Sequence, residues 1–171
     1  MYQRIVVPLD GSKLAERALP EAERLARLIV APIHLVRVID LTQLPWYGQF
    51  GMVMAYEAAE PALTEESTTA SSYLQTIADR ITTSGLVAET EVRRGHTARE
   101  LVATTQPGDL IVMASHGRSG VTRWFLGSVA EDVLRHATVP ILLIKAESPV
   151  TKDNPTDSFP EVPAIYENIV I

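Results

Sequence analysis

The sequence predicts a doubly wound α/β fold: a mostly parallel five-stranded sheet with helices on both faces. Three observations carry that expectation. Strand-like and helix-like segments alternate along the chain, the pattern of successive β-α-β units. The runs Ile5–Val7, Leu110–Met113 and Ile141–Ile144 are wholly apolar, as in strands buried on both faces. The first run ends in "DGS" at 10–12, a turn signal set where a strand would hand over to a helix.

Residues 4–9, "RIVVPL", give the first strand. Ser12 can cap the helix that follows, in which Leu14, Ala15, Ala18, Leu19, Ala22, Leu25, Ala26 and Ile29 recur at helical spacing. Pro20 falls inside this pattern and is expected to bend the helix by removing one internal hydrogen bond. Residues 32–40 are the second strand. Residues 41–62 read as irregular, with Pro45, Gly48, Gly51 and Pro61 around Trp46, Tyr47 and Phe50. A helix is expected at about 64–83, with Tyr73, Leu74, Ile77, Ala78 and Ile81 on one face. Residues 87–94 alternate like a strand near a sheet edge, 97–105 form a short helix, and 109–114 are a buried strand. A helix opens near 127–128, and 139–146 complete the core. The result is a Rossmann-like sheet whose ligands are expected beyond the carboxyl ends of its strands, near Pro8–Gly11, Val38–Asp40 and Ala114–Ser128.

The 171 residues are enough for one domain with a proper core, expected over 1–146, with 147–171 a proline-rich linker and terminal strand. In that tail "YENIVI" at 166–171 repeats the pattern of "YQRIVV" at 2–7, which suggests the start of a second copy or a strand added to a sheet edge. Lys plus Arg number 15 against 21 Asp plus Glu, so a formal charge of −6 gives no reason to expect nucleic acid or an anionic membrane as partner. The absence of cysteine excludes disulfides, thiolate metal sites and cysteine nucleophiles, and fits a reducing compartment. Asp10 interrupts the N-terminal apolar run too early for a secretory signal, and no run is long enough to span a membrane. A cytoplasmic protein is expected.

The stretch "ASHGRSGVTRWFLGSVAEDV" at 114–133 concentrates the chemistry. Gly117 lets a ligand approach the backbone, and a helix beginning at Gly127 and Ser128 offers free N–H groups at the positive end of its dipole. Together these make a site for an anion. A plainer reading stands beside it. Ser128-Val129-Ala130-Glu131 has the form of a capping box, as does Thr97-Ala98-Arg99-Glu100, and such a box would satisfy those donors internally. No phosphate-binding G-x-x-x-x-G-K-[ST] loop and no G-x-G-x-x-G after a strand occurs, so hydrolysis would lack its usual apparatus. Ser115 and His116 are adjacent on extended backbone and point opposite ways, and no G-x-S-x-G elbow exists. His34, His96, His116 and His136 are scattered, without zinc-ligand spacing. Asp10 ends the first strand at the expected crevice, where it either braces the turn or meets a ligand or Mg²⁺. Trp46, Tyr47 and Phe50 read as loop packing or a lid, and Arg118 and Arg123 as solvated residues or phosphate contacts.

These segments resemble the universal stress protein family over Tyr2 to about Ala146. The likeness rests on "IVVPLDGS" at 5–12, "LVRVID" at 35–40, "DLIVMASHGRSG" at 109–120 and "FLGSVAEDVLRHATVPILLIK" at 125–145. Members that bind ATP carry G-x-x-G, nine residues, then G-[ST]. Here the motif is Ala114-Ser115-His116-Gly117, nine residues, Gly127-Ser128, so Ala114 stands where the first glycine would be. The resemblance implies adenine near Pro8, Leu9 and Asp10, with Val38 supplying backbone hydrogen bonds. Met113, Ala114 and Gly117 would border the ribose and phosphates; Gly127, Ser128 and Val129 would hold phosphate oxygens; His116 and Arg118 would contribute. It further implies an ATP-binding stress-response or signalling module with at most weak hydrolysis, and a homodimer formed through the strand at 139–145. The alternative is a dimeric interaction domain of the same fold that binds no ATP.

Overall fold

The structure, a computed structural model, describes residues 2–43, 48–116 and 127–146. Strands β1 (Arg4–Pro8), β2 (Ile33–Asp40), β3 (Ala88–Gly95), β4 (Asp109–His116) and β5 (Ile141–Ala146) form one sheet in the order β3-β2-β1-β4-β5. Every pairing is parallel: Ile5 lies opposite both Ile33 and Leu110, and Met113 opposite Leu143. The connections are α1 (Leu19–Ile29), α2 (Gly48–Thr83), α3 (Thr97–Thr104) and α4 (Ser128–His136). The chain order reverses between β1 and β4, which fixes where a crevice opens.

Each face of the sheet has its own core. Ile5, Val7, Leu35 and Val112 pack with Leu19, Ala22 and Ala26 of α1 and with Leu74, Ile77 and Ile81 of α2. On the other face Val6, Val36, Ile111 and Met113 pack with Ala98 and Leu101 of α3 and Ala130 and Val133 of α4. The alternation along β1, with Val6 facing one core and its two neighbours the other, explains its uninterrupted apolar sequence.

Three local expectations are corrected. Pro20 does not bend a helix. A 3₁₀ turn occupies Ala15–Ala18 and the α-helix begins only at Leu19, which puts Pro20 in its first turn, where no internal hydrogen bond is lost. The helix expected at 64–83 extends back to Gly48, across most of the stretch read as irregular, with Pro61 inside it. Between Gly51 and Pro61 the chain is rich in alanine, methionine and glutamate, strong helix formers that outweigh one missing N–H donor. Neither capping box forms. The N-cap of α4 is Gly127 and that of α3 is His96, and neither helix has a side-chain cap. Thr97 and Glu100 take tertiary partners instead: Thr97 Oγ1 donates to Asp40 Oδ2 at 3.3 Å, and Glu100 Oε2 accepts Arg93 Nε at 2.8 Å.

The amino end of the sheet is tied by ion pairs. Asp109 is buried and accepts Arg4 Nε at 3.1 Å, Arg4 Nη2 at 2.7 Å and the Gln106 N–H at 2.8 Å. Arg4 Nη2 also donates to the Thr104 carbonyl at 2.9 Å. Burial pushes the Asp109 carboxyl up, but the Arg4 hydrogen bond, the Gln106 N–H and the Arg4 charge prevail and hold it below the usual carboxylate range. His34, on β2, lies against Glu91 with Nε2 and Oε2 at 2.8 Å. No helix of the described residues is long and apolar enough to cross a membrane. The tail at 147–171, including the terminal strand expected at 166–171, lies outside the described residues.

Candidate functional site

A cavity of about 300 Å³ opens at the carboxyl ends of β1 and β4, at the reversal of strand order. Pro8, Leu9 and Asp10 line it from the end of β1, and Val36 and Val38 from β2. Met113, Ala114 and Ser115 contribute from β4, and Gly127, Ser128, Val129 and Ala130 from the start of α4. Nine residues named from the sequence therefore meet around one space. His116 ends β4, paired with Ala146, while Gly117, Arg118, Arg123, Trp46 and Tyr47 lie outside the described residues.

The two ends of the cavity differ chemically. At one end α4 begins, with Gly127, which has no side chain to cap the helix, as its N-cap and with Gly127 and Ser128 exposed. Gly127 sits at φ −59° and ψ 153°, extended backbone that delivers the chain directly into the helix. At the other end the wall is apolar, made by Leu9, Val36, Val38 and Leu101. The backbone of β2 adds polarity there. The Leu9 N–H donates to the Val36 carbonyl at 2.8 Å, so Val36 turns its peptide groups toward β1. Val38, two residues on, turns its N–H and C=O the same way, past the point where β1 has ended.

Ala114 fits its place without strain. It lies inside β4 opposite Ile144 and packs against the core shared with α1 and α2. Val30 is the non-glycine residue with positive φ among the described residues, so Ala114 needs no glycine backbone. Ala114 also lines the cavity.

Asp10 is exposed at the rim, and its Oδ1 accepts the Ser12 N–H at 2.8 Å. Ser12 Oγ in turn accepts the Ala15 N–H at 3.1 Å, so this pair sets the turn that leaves β1. The turn is braced from outside as well. Tyr73 of α2 donates its hydroxyl to Glu16 Oε1 at 3.2 Å, and burial, with Glu16 beside it, pushes the Tyr73 phenol up to about 12. Among the described residues no group of three or more His, Asp or Glu could hold a metal ion.

Sequence reasoning missed part of the lining: Ser12, Leu14 and Ala15 from the turn after β1, Thr97 and Leu101 from α3, and Val36 behind Val38. A signal for Thr97 existed. In a parallel sheet every helix that follows a strand starts at the carboxyl edge, so the N-terminus of α3 had to lie beside that of α4.

A parallel five-stranded α/β sheet with a cavity at its strand-order reversal defines a doubly wound α/β domain. The comparison with known proteins makes it more specific. The profile of the universal stress protein family matches residues 1–145, and the chain belongs to that family. A universal stress protein of Methanocaldococcus jannaschii is 33% identical over 147 residues, covering 85% of this chain and 83% of that protein. The solved structure of a second protein of that organism is 27% identical, with a TM-score of 0.68 over 86% of this chain and 99% of the other. Two more distant structures share the fold. One is a universal stress protein in complex with cAMP, 22% identical with a TM-score of 0.57 over 84% of this chain and 97% of that one. The other, from Archaeoglobus fulgidus, is in complex with dAMP, 21% identical with a TM-score of 0.51 over 84% and 98%.

Proposed function

We propose that this chain is an adenine-nucleotide-binding module of stress response or signalling, with ATP as ligand, and that it works by binding rather than by strong catalysis. The observation that carries the proposal is the cavity itself, with the uncapped start of α4 at one end and an apolar wall at the other. A nucleotide has the same polarity, anionic at one end and flat and apolar at the other. The phosphates would meet the N–H groups of α4 near Gly127, Ser128 and Val129, with Gly117, His116 and Arg118 completing the loop side. The base would rest on Pro8 and Leu9, with the N–H and C=O of Val38 matching the acceptor N1 and the donor N6 of adenine. Met113 and Ala114 would lie beneath the ribose. Fold relatives carrying cAMP and dAMP support the ligand class.

Mg²⁺ fits this arrangement only as a partner of the phosphates. Asp10 has one carboxylate oxygen engaged by Ser12, and among the described residues no group of three or more His, Asp or Glu could form a protein cage. That suits an ion that keeps water and phosphate oxygens and takes one carboxylate. When bound, Mg²⁺ would neutralise phosphate charge.

The partner proposed beside the nucleotide is a second copy of the chain, joined through the strand at 139–145. β5 is an edge of the sheet, and an antiparallel two-fold contact there would close it. Ile141 and Leu143 pack on one core and Leu142 and Ile144 on the other, so a Leu143→Lys change would report on folding rather than on pairing. Sedimentation of the unmodified chain is the cleaner test, and a monomer at high micromolar concentration would remove the dimer.

Extraction of nucleotide from freshly purified protein, followed by thermal melting with ATP and Mg²⁺, tests the main reading. Retained adenine nucleotide or a rise in melting temperature is expected. With neither, the interaction-domain alternative becomes the better description.

A further inference from the structure

We infer that Thr97, held by Asp40, reads the exocyclic amine of the bound base and selects adenine over a base with a carbonyl in that position. The inference rests on the nucleotide-binding reading above and names a determinant of specificity within it. Thr97 lines the cavity from the first position of α3, on the same side as Val38. Its hydroxyl proton is already committed, because Oγ1 donates to Asp40 Oδ2 at 3.3 Å.

Asp40 is itself fixed. Its Oδ1 accepts the Thr42 N–H at 2.8 Å and the Thr42 hydroxyl at 2.6 Å, and β3 presents Gly95 opposite it. Burial pushes the Asp40 carboxyl up, but the Thr42 and Thr97 hydrogen bonds and nearby His96 hold it below the usual range, which keeps it an acceptor. A hydroxyl has one proton and two lone pairs. With the proton given to Asp40, Thr97 has only lone pairs to offer the cavity.

The consequence is a polarity rule for the ligand. An N–H donor facing Thr97 gains a hydrogen bond, whereas a carbonyl oxygen there meets lone pairs and leaves both groups unsatisfied. Adenine has two hydrogens on its N6 amine. The Val38 carbonyl can accept one and Thr97 Oγ1 the other. Hypoxanthine has the same shape with a carbonyl at that position and a proton on N1, so it also loses the Val38 pairing, and the share due to Thr97 is read from the variants. Asp40 acts through Thr97 and is therefore a positioning residue.

The test is titration of ATP, ITP and 2′-deoxy-ATP into the full chain and into three variants: Thr97→Val, Thr97→Ser and Asp40→Asn. The full chain is expected to bind ATP at least about tenfold more tightly than ITP, since ITP mismatches Val38 as well as Thr97. Thr97→Val should weaken ATP several-fold and leave ITP unchanged, while Thr97→Ser should restore the preference. Asp40→Asn can donate to Thr97 and release its proton toward the base, so ITP should tighten relative to ATP. Equal loss for ATP and ITP in Thr97→Val would overturn the inference, leaving nucleotide binding intact. So would a Thr97→Val effect confined to the comparison of ATP with 2′-deoxy-ATP, which would put the hydroxyl on the ribose. Failure of the full chain to bind any of the three would overturn the nucleotide reading and this inference with it.

Discussion

The two ends of the sheet are built from the same strands and serve opposite purposes. At the amino end Arg4 and Asp109 bind each other twice and take further partners from Thr104 and Gln106, so polar groups there are consumed by the fold. At the carboxyl end α4 starts without a side-chain cap and Val38 turns its peptide groups past the last residue of β1. Buried polar groups are costly unless paired. The amino end pairs its polar groups within the fold, whereas at the carboxyl end the first residues of α4 are exposed.

That contrast can be broken first at the amino end. Asp109→Ala leaves the Arg4 guanidinium half-buried without its carboxylate and should cost about 3 kcal/mol of stability in urea denaturation, with ATP affinity little changed. A large loss of affinity at unchanged stability would mean that the two ends are not separate. At the carboxyl end the converse holds. Gly127 has a backbone that any residue can adopt, so Gly127→Val should fold normally while its side chain intrudes where phosphate would lie. ATP binding should weaken at least about 100-fold, equivalent to about 2.7 kcal/mol at 25 °C.

Acid should separate the two ends as well. Because the folded Asp109 carboxyl sits below its unfolded value, its contribution is present above the unfolded value of about 4 and is lost as pH falls through the folded one. The stability lost as pH falls below about 4 should therefore be smaller in Asp109→Asn than in the unmodified chain. Smaller effects are expected at the cavity. Ser128→Ala should weaken ATP by less than about 1 kcal/mol, because the helix N–H groups remain. Ala114→Gly should leave affinity unchanged or slightly improved, and should lower stability by about 0.5–1 kcal/mol because glycine is a poor strand residue.

The sheet was legible because burial on two faces writes itself as unbroken apolar runs, seen at Ile5–Val7 and Leu110–Met113. The cavity was legible in part, because Pro8, Asp10, Val38 and Gly127 stand at strand ends and a helix start. Local rules failed where a distant partner competed with a near one. Thr97 and Glu100 have the spacing of a capping box, yet Asp40 and Arg93 take them. At α4 the box was set one residue out of place, since Gly127 rather than Ser128 keeps the extended conformation of the N-cap. The start of α2 was hidden by Gly48, Gly51 and Pro61, residues that mark turns on average and here sit within a long helix. Beyond that capping-box spacing, Thr97 carries no motif that points to a ligand. Only the direction of α3 brings it to the cavity.

Calorimetric titration of nucleotide-stripped protein with ATP and Mg²⁺ tests most directly whether the carboxyl end is open for a nucleotide. Saturable heat at one site per chain is expected, and it should vanish in a folded Gly127→Val variant. No heat up to about millimolar ATP, where binding energy would already be below about 4 kcal/mol, would contradict it.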